Sequence, residues 1–85
     1  MTLPPGLLHR LRNLTVGELT RALERDGFLL YRRTRGSHRI YRHPDSRKVV
    51  IPFHRASDTL PRGTLADILR GTQWTEQDAR RLGLI

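Results

Sequence analysis

The sequence predicts a two-layer α+β domain: one helix, a three-stranded antiparallel meander, a second helix and a short C-terminal helical extension. Three observations carry that prediction. An apolar stripe at helical spacing follows Thr15 and stops at Gly27. Three strand-like runs then come in quick succession, separated by turn-forming residues. Helical segments starting at Thr64 and Thr75 close the chain. Helices on either side of a short meander pack on one face of its sheet and leave the other face free.

The elements follow in chain order. Thr15-Val16-Gly17-Glu18 fits a capping box, with Thr15 as N-cap and Glu18 reaching back to it. Val16, Leu19, Ala22 and Leu23 form the stripe that faces the core, and Gly27 supplies a left-handed stop. The first strand runs from Phe28 to Thr34 and is broken by Arg35-Gly36-Ser37. The second runs from His38 to His43. Pro44-Asp45-Ser46 then makes a tight turn, because proline presets φ and Asp and Ser suit turn positions. Arg47 to Phe53 is the third strand, with Pro52 placing its end at an edge or outside the ladder. Thr64 caps a helix carrying Leu65, Ile68 and Leu69, with Gly71 as its stop. Thr75 caps another through Leu82, with Asp78 as its partner. Trp74, between them, reads as a core residue or a partner anchor.

Eighty-five residues make a single domain, 1–85. No apolar run is long enough to span a bilayer, and the N-terminal stretch lacks a signal-peptide layout. There is no cysteine for a disulfide or a zinc-thiolate site. A cytoplasmic protein with no membrane partner is expected. The formal charge is +8, and Lys48 is the only lysine among sixteen basic residues. Seven of those lie between Arg32 and Lys48, against one acid, Asp45. Such a local basic stripe suits a polyanion, whose counterions it displaces; the plainer reading is that surface arginines keep a small protein in solution. Arg35-Gly36-Ser37-His38 also matches an affinity-tag fragment, but it sits mid-chain and is followed by Arg39-Ile40-Tyr41, so it is read as native.

Strand parity sorts the histidines. His38, Ile40 and Arg42 share one face; Arg39, Tyr41 and His43 share the other. A tight turn pairs residues whose numbers sum to about 90, which sets His38 opposite Pro52 with His54 just beyond. His38 and His43 then lie at opposite ends and on opposite faces, so neither a metal site nor a cofactor is expected. An acid–base role for His38 is compatible with this layout, since imidazole titrates near neutrality. Arg35 and Arg39 beside it would disfavour imidazolium and stabilise charge on a phosphate. Gly36 lets a phosphate backbone approach, and Ser37 offers a hydroxyl. Periodicity leaves a second reading open, in which His38 is half-buried beside Ile40 and tied to a backbone carbonyl. Tyr31 and Tyr41 suit either base stacking or sheet packing.

The stretch "LERDGFLLYRRTRGSHRIYRHPDSRKVVIPFH", followed by "PRGTLADIL", resembles the HicA-type toxins of toxin–antitoxin pairs. The resemblance covers about residues 14–71 and leaves an N-terminal lead, 1–13, and a C-terminal extension, 72–85. It implies the α-β-β-β-α fold of double-stranded RNA-binding domains and an mRNA interferase that cuts mRNA, arrests translation and is restrained by a cognate HicB-type antitoxin. It also carries the family's active-site histidine over to His38. On that reading the enzyme is a metal-independent ribonuclease, with Arg35, Arg39 and Lys48 holding the RNA backbone beside Gly36 and Ser37. His54 is counted among the same RNA-binding residues and is, by hairpin register, the nearest candidate for a second proton carrier. The chain departs from the family at Ser46, where glycine is frequent. Two other readings stay open: a non-catalytic RNA-binding module that reads shape and 2′-hydroxyls, and a basic face that docks an acidic partner.

Overall fold

The computed structural model describes residues 3–85, and Met1 and Thr2 of the N-terminal lead lie outside the described residues. Its elements are α1 (Leu7–Arg10), α2 (Val16–Asp26), β1 (Leu29–Arg33), β2 (His38–Arg42), β3 (Lys48–Pro52), α3 (Arg62–Thr72) and α4 (Glu76–Arg81). This is the α-β-β-β-α order of double-stranded RNA-binding domains, flanked by α1 and α4. No helix among the described residues is long and apolar enough to cross a membrane.

The sheet is antiparallel in the order β1-β2-β3. The hairpin register is the one the turn predicts, with His38 opposite Pro52 and Ile40 opposite Val50. Tyr41, Val49 and Ile51 are buried against the helices, while His38, Arg42, Lys48 and Val50 are exposed on the other face. The turn closes with Ser46 at φ 81, a left-handed conformation that a glycine adopts at no steric cost. That explains why glycine suits this position.

Local signals fixed α2 and α4. Thr15 and Glu18 make the full capping box, as do Thr75 and Asp78. The N–H groups of Val16 and Gly17 are taken by the carbonyls of Asp58 and Ala56, so the loop after β3 is tied down across the start of α2. At the other end Gly27 has φ 105, and the bonds Phe28 N–H to Leu23 O and Gly27 N–H to Glu24 O close a Schellman stop.

Two expectations about α3 are corrected. It starts at Arg62, with Pro61 rather than Thr64 as N-cap, and the Pro61 carbonyl accepts from Leu65 N–H. Proline has no N–H to lose there and its φ of −56 already suits the chain's entry. Gly71 does not end the helix, which runs on to Thr72 and stops at Gln73 with φ 58. A Cβ on Gly71 would lie 2.8 Å from Val49 Cγ1 and 3.0 Å from the Lys48 carbonyl. Its missing side chain lets α3 press onto β3. The lead also holds a helix, α1, whose Leu7 joins Leu11, Ala79, Leu82 and Trp74 in the core.

The elements meet at Asp26, whose side chain is only 7% exposed. Its carboxylate accepts from Trp74 Nε1 at 2.9 Å, Arg47 Nη1 at 3.0 Å and Arg81 Nη2 at 2.7 Å. Burial pushes this carboxyl up; the bonds from Trp74, Arg81 and Arg47 together outweigh it, so the net shift is downward. Ionised Asp26 therefore adds stability above its unfolded value of about 3.9, and that contribution is lost as pH falls through the lower folded value. Asp26→Ala leaves Trp74 Nε1 without its acceptor and removes one of the two carboxylates that hold Arg47, and is expected to cost about 3 kcal/mol, read from urea unfolding followed by Trp74 fluorescence. The drop in midpoint from pH 5 to pH 3 should be smaller in Asp26→Ala than in the parent chain.

Candidate active site

The basic stripe read from the sequence separates into arginines with different partners. Arg47 is structural: besides Asp26 it bonds both oxygens of Asp45 through Nε and donates to the Thr72 carbonyl. Arg39 lies on the helix-side face, with its guanidinium 3.6 Å from the centre of the Phe53 ring. It is therefore on the opposite face from His38. Arg42 stacks on Tyr31 at 4.0 Å. Arg32, Arg33, Arg35 and Lys48 are exposed.

The histidines part in the same way. His43 Nε2 lies 2.8 Å from the Asp26 carbonyl oxygen, and its Nδ1 lies 3.1 Å from the Asp45 backbone nitrogen and 3.0 Å from Asp45 Oδ1. Its edge also meets Phe28, with ring centres 5.1 Å apart. The sequence placed it at the end of the second strand, next to the turn; in the fold it fastens that turn to the end of α2. His38 is exposed at the start of β2, and among the described residues its ring makes no hydrogen bond. Its backbone is held instead, because the His38 carbonyl accepts from Thr34 N–H at 2.9 Å. The half-buried, carbonyl-tied reading of this ring does not describe the fold.

His38 opens onto a cleft of about 410 Å³ between β3 and α3, whose walls also include Lys48, Pro52, Thr64 and Asp67. Lys48 and His38 thus share one space, four strand positions apart by register. Gly36 and Ser37 precede His38 in the β1–β2 loop. Gly36 has φ 90 with open space where a side chain would be, and the Ser37 carbonyl accepts from Phe53 N–H. His54 is exposed beyond β3 and does not line the cleft; neither do Arg35 and Arg39. Thr64 and Asp67 were not singled out as site residues from the sequence. Their spacing places them on one side of α3 with Ile68, but only the packing of α3 beside β3 turns that side toward His38.

Chemically, the cleft presents an imidazole with both nitrogens available, an ammonium, a hydroxyl and a carboxylate. Asp67 is paired with Arg70 at 3.0 Å across solvent. No group of three or more His, Cys, Asp or Glu side chains comes together among the described residues.

Brief carbethoxylation at neutral pH, read by peptide mass spectrometry, is expected to label His38 early. His43, held at both nitrogens, should be labelled only on unfolding. Equal labelling of the two would contradict the contrast between them.

A protein-family model described as HicA toxin of bacterial toxin-antitoxin matches residues 16–74, from the first residue of α2 to Trp74. No curated protein matches the chain.

Proposed function

The chain belongs to the HicA family of toxins of bacterial toxin–antitoxin systems, and from that premise we propose that it is a metal-independent ribonuclease that cuts mRNA with His38 and is restrained by a cognate HicB-type antitoxin. One observation supports the site above the rest: His38 is the exposed imidazole whose ring faces a cleft it shares with a lysine. On this reading His38 takes the proton of a ribose 2′-hydroxyl. The 2′-oxygen attacks the neighbouring phosphorus, and the bond to the 5′-oxygen of the next nucleotide breaks. The leaving oxygen collects a proton, and the products are a 2′,3′-cyclic phosphate and a 5′-hydroxyl.

The protein's own groups divide the work. Proton transfer by a placed histidine is worth roughly 10²- to 10⁴-fold, so charge stabilisation must supply much of the rest. Lys48 holds a phosphate at the far end of the cleft, and Arg35, at the exposed loop, adds a second cation near the scissile bond. Gly36 leaves room for the backbone beside them, and Ser37 extends the loop that carries His38. Arg39, stacked on Phe53, supports the sheet end rather than touching RNA. For the second proton carrier Asp67 is better placed than His54, because it lines the cleft. Cutting mRNA in the cytoplasm arrests translation, and a bound antitoxin would prevent it.

Expressed without its antitoxin, the parent chain should arrest growth, and purified protein should cleave RNA in EDTA. His38→Ala should abolish both while keeping the thermal midpoint and antitoxin binding. Lys48→Ala should raise KM more than it lowers kcat and should flatten the salt dependence. Full cleavage by His38→Ala defeats the catalytic assignment, and salt-sensitive RNA retention with no cleavage by the parent chain makes it a binding module.

A further inference from the structure

The proposed chemistry leaves unused the most exposed apolar residues of the fold. Leu29 is 67% exposed, Tyr31 58% and Val50 42%. Their placement is organised. The pairing of β1 with β2 slips between Leu30 and Arg32, so Tyr31 is the extra residue of a bulge. A bulge re-aims the side chain it carries, and here Tyr31 comes to lie against Arg42, on the helix-free face that also holds His38.

That face has a consistent chemistry. At its centre Ile40 sits between Arg32 of β1 and Val50 of β3, and one step along Arg42 sits between Leu29 and Lys48. Apolar surface therefore fills the middle, with Arg32, Arg42 and Lys48 around it. Among the described residues no acid stands on these strands. A hollow of about 380 Å³ beside Tyr31 is bordered by Leu29, Leu30, Arg42 and Pro44. Strand spacing and rise put Tyr31 about 10 Å from His38 across the sheet, which is a short walk along a nucleotide chain.

We infer that the helix-free sheet face binds single-stranded RNA, with one base stacked on Tyr31 beside the Arg42 guanidinium and the backbone running across Ile40 to His38. The inference rests on the ribonuclease reading and adds where the substrate lies and which residue orders it. A tyrosine ring with a guanidinium on it suits a nucleobase, since every base has a π-face and arginine adds a cation. Arg32 and Lys48 are placed for the phosphates on either side. Duplex RNA keeps its bases stacked inside and cannot offer one to Tyr31. This mode differs from shape reading of a double helix, the habit of the fold that the chain shares.

The test uses His38→Ala protein, which keeps RNA uncut, and a short oligoribonucleotide of mixed sequence, offered single-stranded or annealed to its complement. The single strand should bind more tightly than the duplex. Adding Tyr31→Ala or Tyr31→Leu should weaken single-strand binding about 5- to 100-fold, and Tyr31→Phe should restore it. In the His38-containing chain, Tyr31→Leu should raise KM and spare kcat. Trp74 fluorescence and the thermal midpoint show that each variant is folded. Unchanged affinity in Tyr31→Leu overturns the inference, as does tighter binding of the duplex. So does a Tyr31 effect confined to an acidic protein partner, since the face is then a protein-docking surface. If Tyr31 governs RNA binding while His38→Ala cleaves normally, the face stands and the catalytic reading falls.

Discussion

One carboxylate decides how the rest of this chain fits together. Asp26 ends α2, and on it converge the indole of Trp74 from the α3–α4 junction, Arg47 from the foot of β3 and Arg81 from α4. A buried acid with one cation is a costly thing to keep; with three donors most of its lone pairs are engaged and the cost of burial is offset. The geometry matters more than the energy. Fixing Arg47 and Trp74 to the same oxygen, Oδ2, sets the start of β3 against the end of α3. Gly71 then allows those two elements to close to backbone contact. The cleft at His38 lies between these same two elements, with Pro52 on one side and Thr64 on the other.

What the sequence makes legible is short-range. Both capping boxes, the stop at Gly27 and the hairpin register come from residues within a few positions of each other, and each appears in the fold as read. The misreadings share a cause. Thr64 has the side chain of a cap and Gly71 the character of a stop, yet a proline upstream opens the helix and a packing contact keeps the glycine inside it. The bonds at Asp26 span 21, 48 and 55 residues. No local pattern announces them. For the same reason Arg47 looks like one more member of a basic stripe until its three partners are seen.

The candidate site was legible to the same depth. Parity separated His38 from His43 and put Arg39 on the face away from His38. It did not show that Arg39 is occupied by Phe53, or that His43 is fastened to α2. His54 looked near His38 because register alone places it just past Pro52, and register says nothing of where the chain turns after a strand ends. Thr64 and Asp67 belong to the cleft through α3, an element that lies far from His38 in sequence.

The bulge at Tyr31 has an effect on the backbone as well as on the ring. β1 is an open edge, exposed along all five residues, whereas α3 lies alongside β3. An open edge of Leu29-Leu30-Tyr31 composition offers a row of unpaired N–H and C=O groups, the kind of template on which a second copy can add its own strand. The irregularity breaks the even spacing of that row, and Arg32 and Arg33 place charge at its end. An interrupted row of backbone groups ending in two cations is a poor template for another strand, so the bulge that aims Tyr31 also opposes strand addition along this uncovered edge.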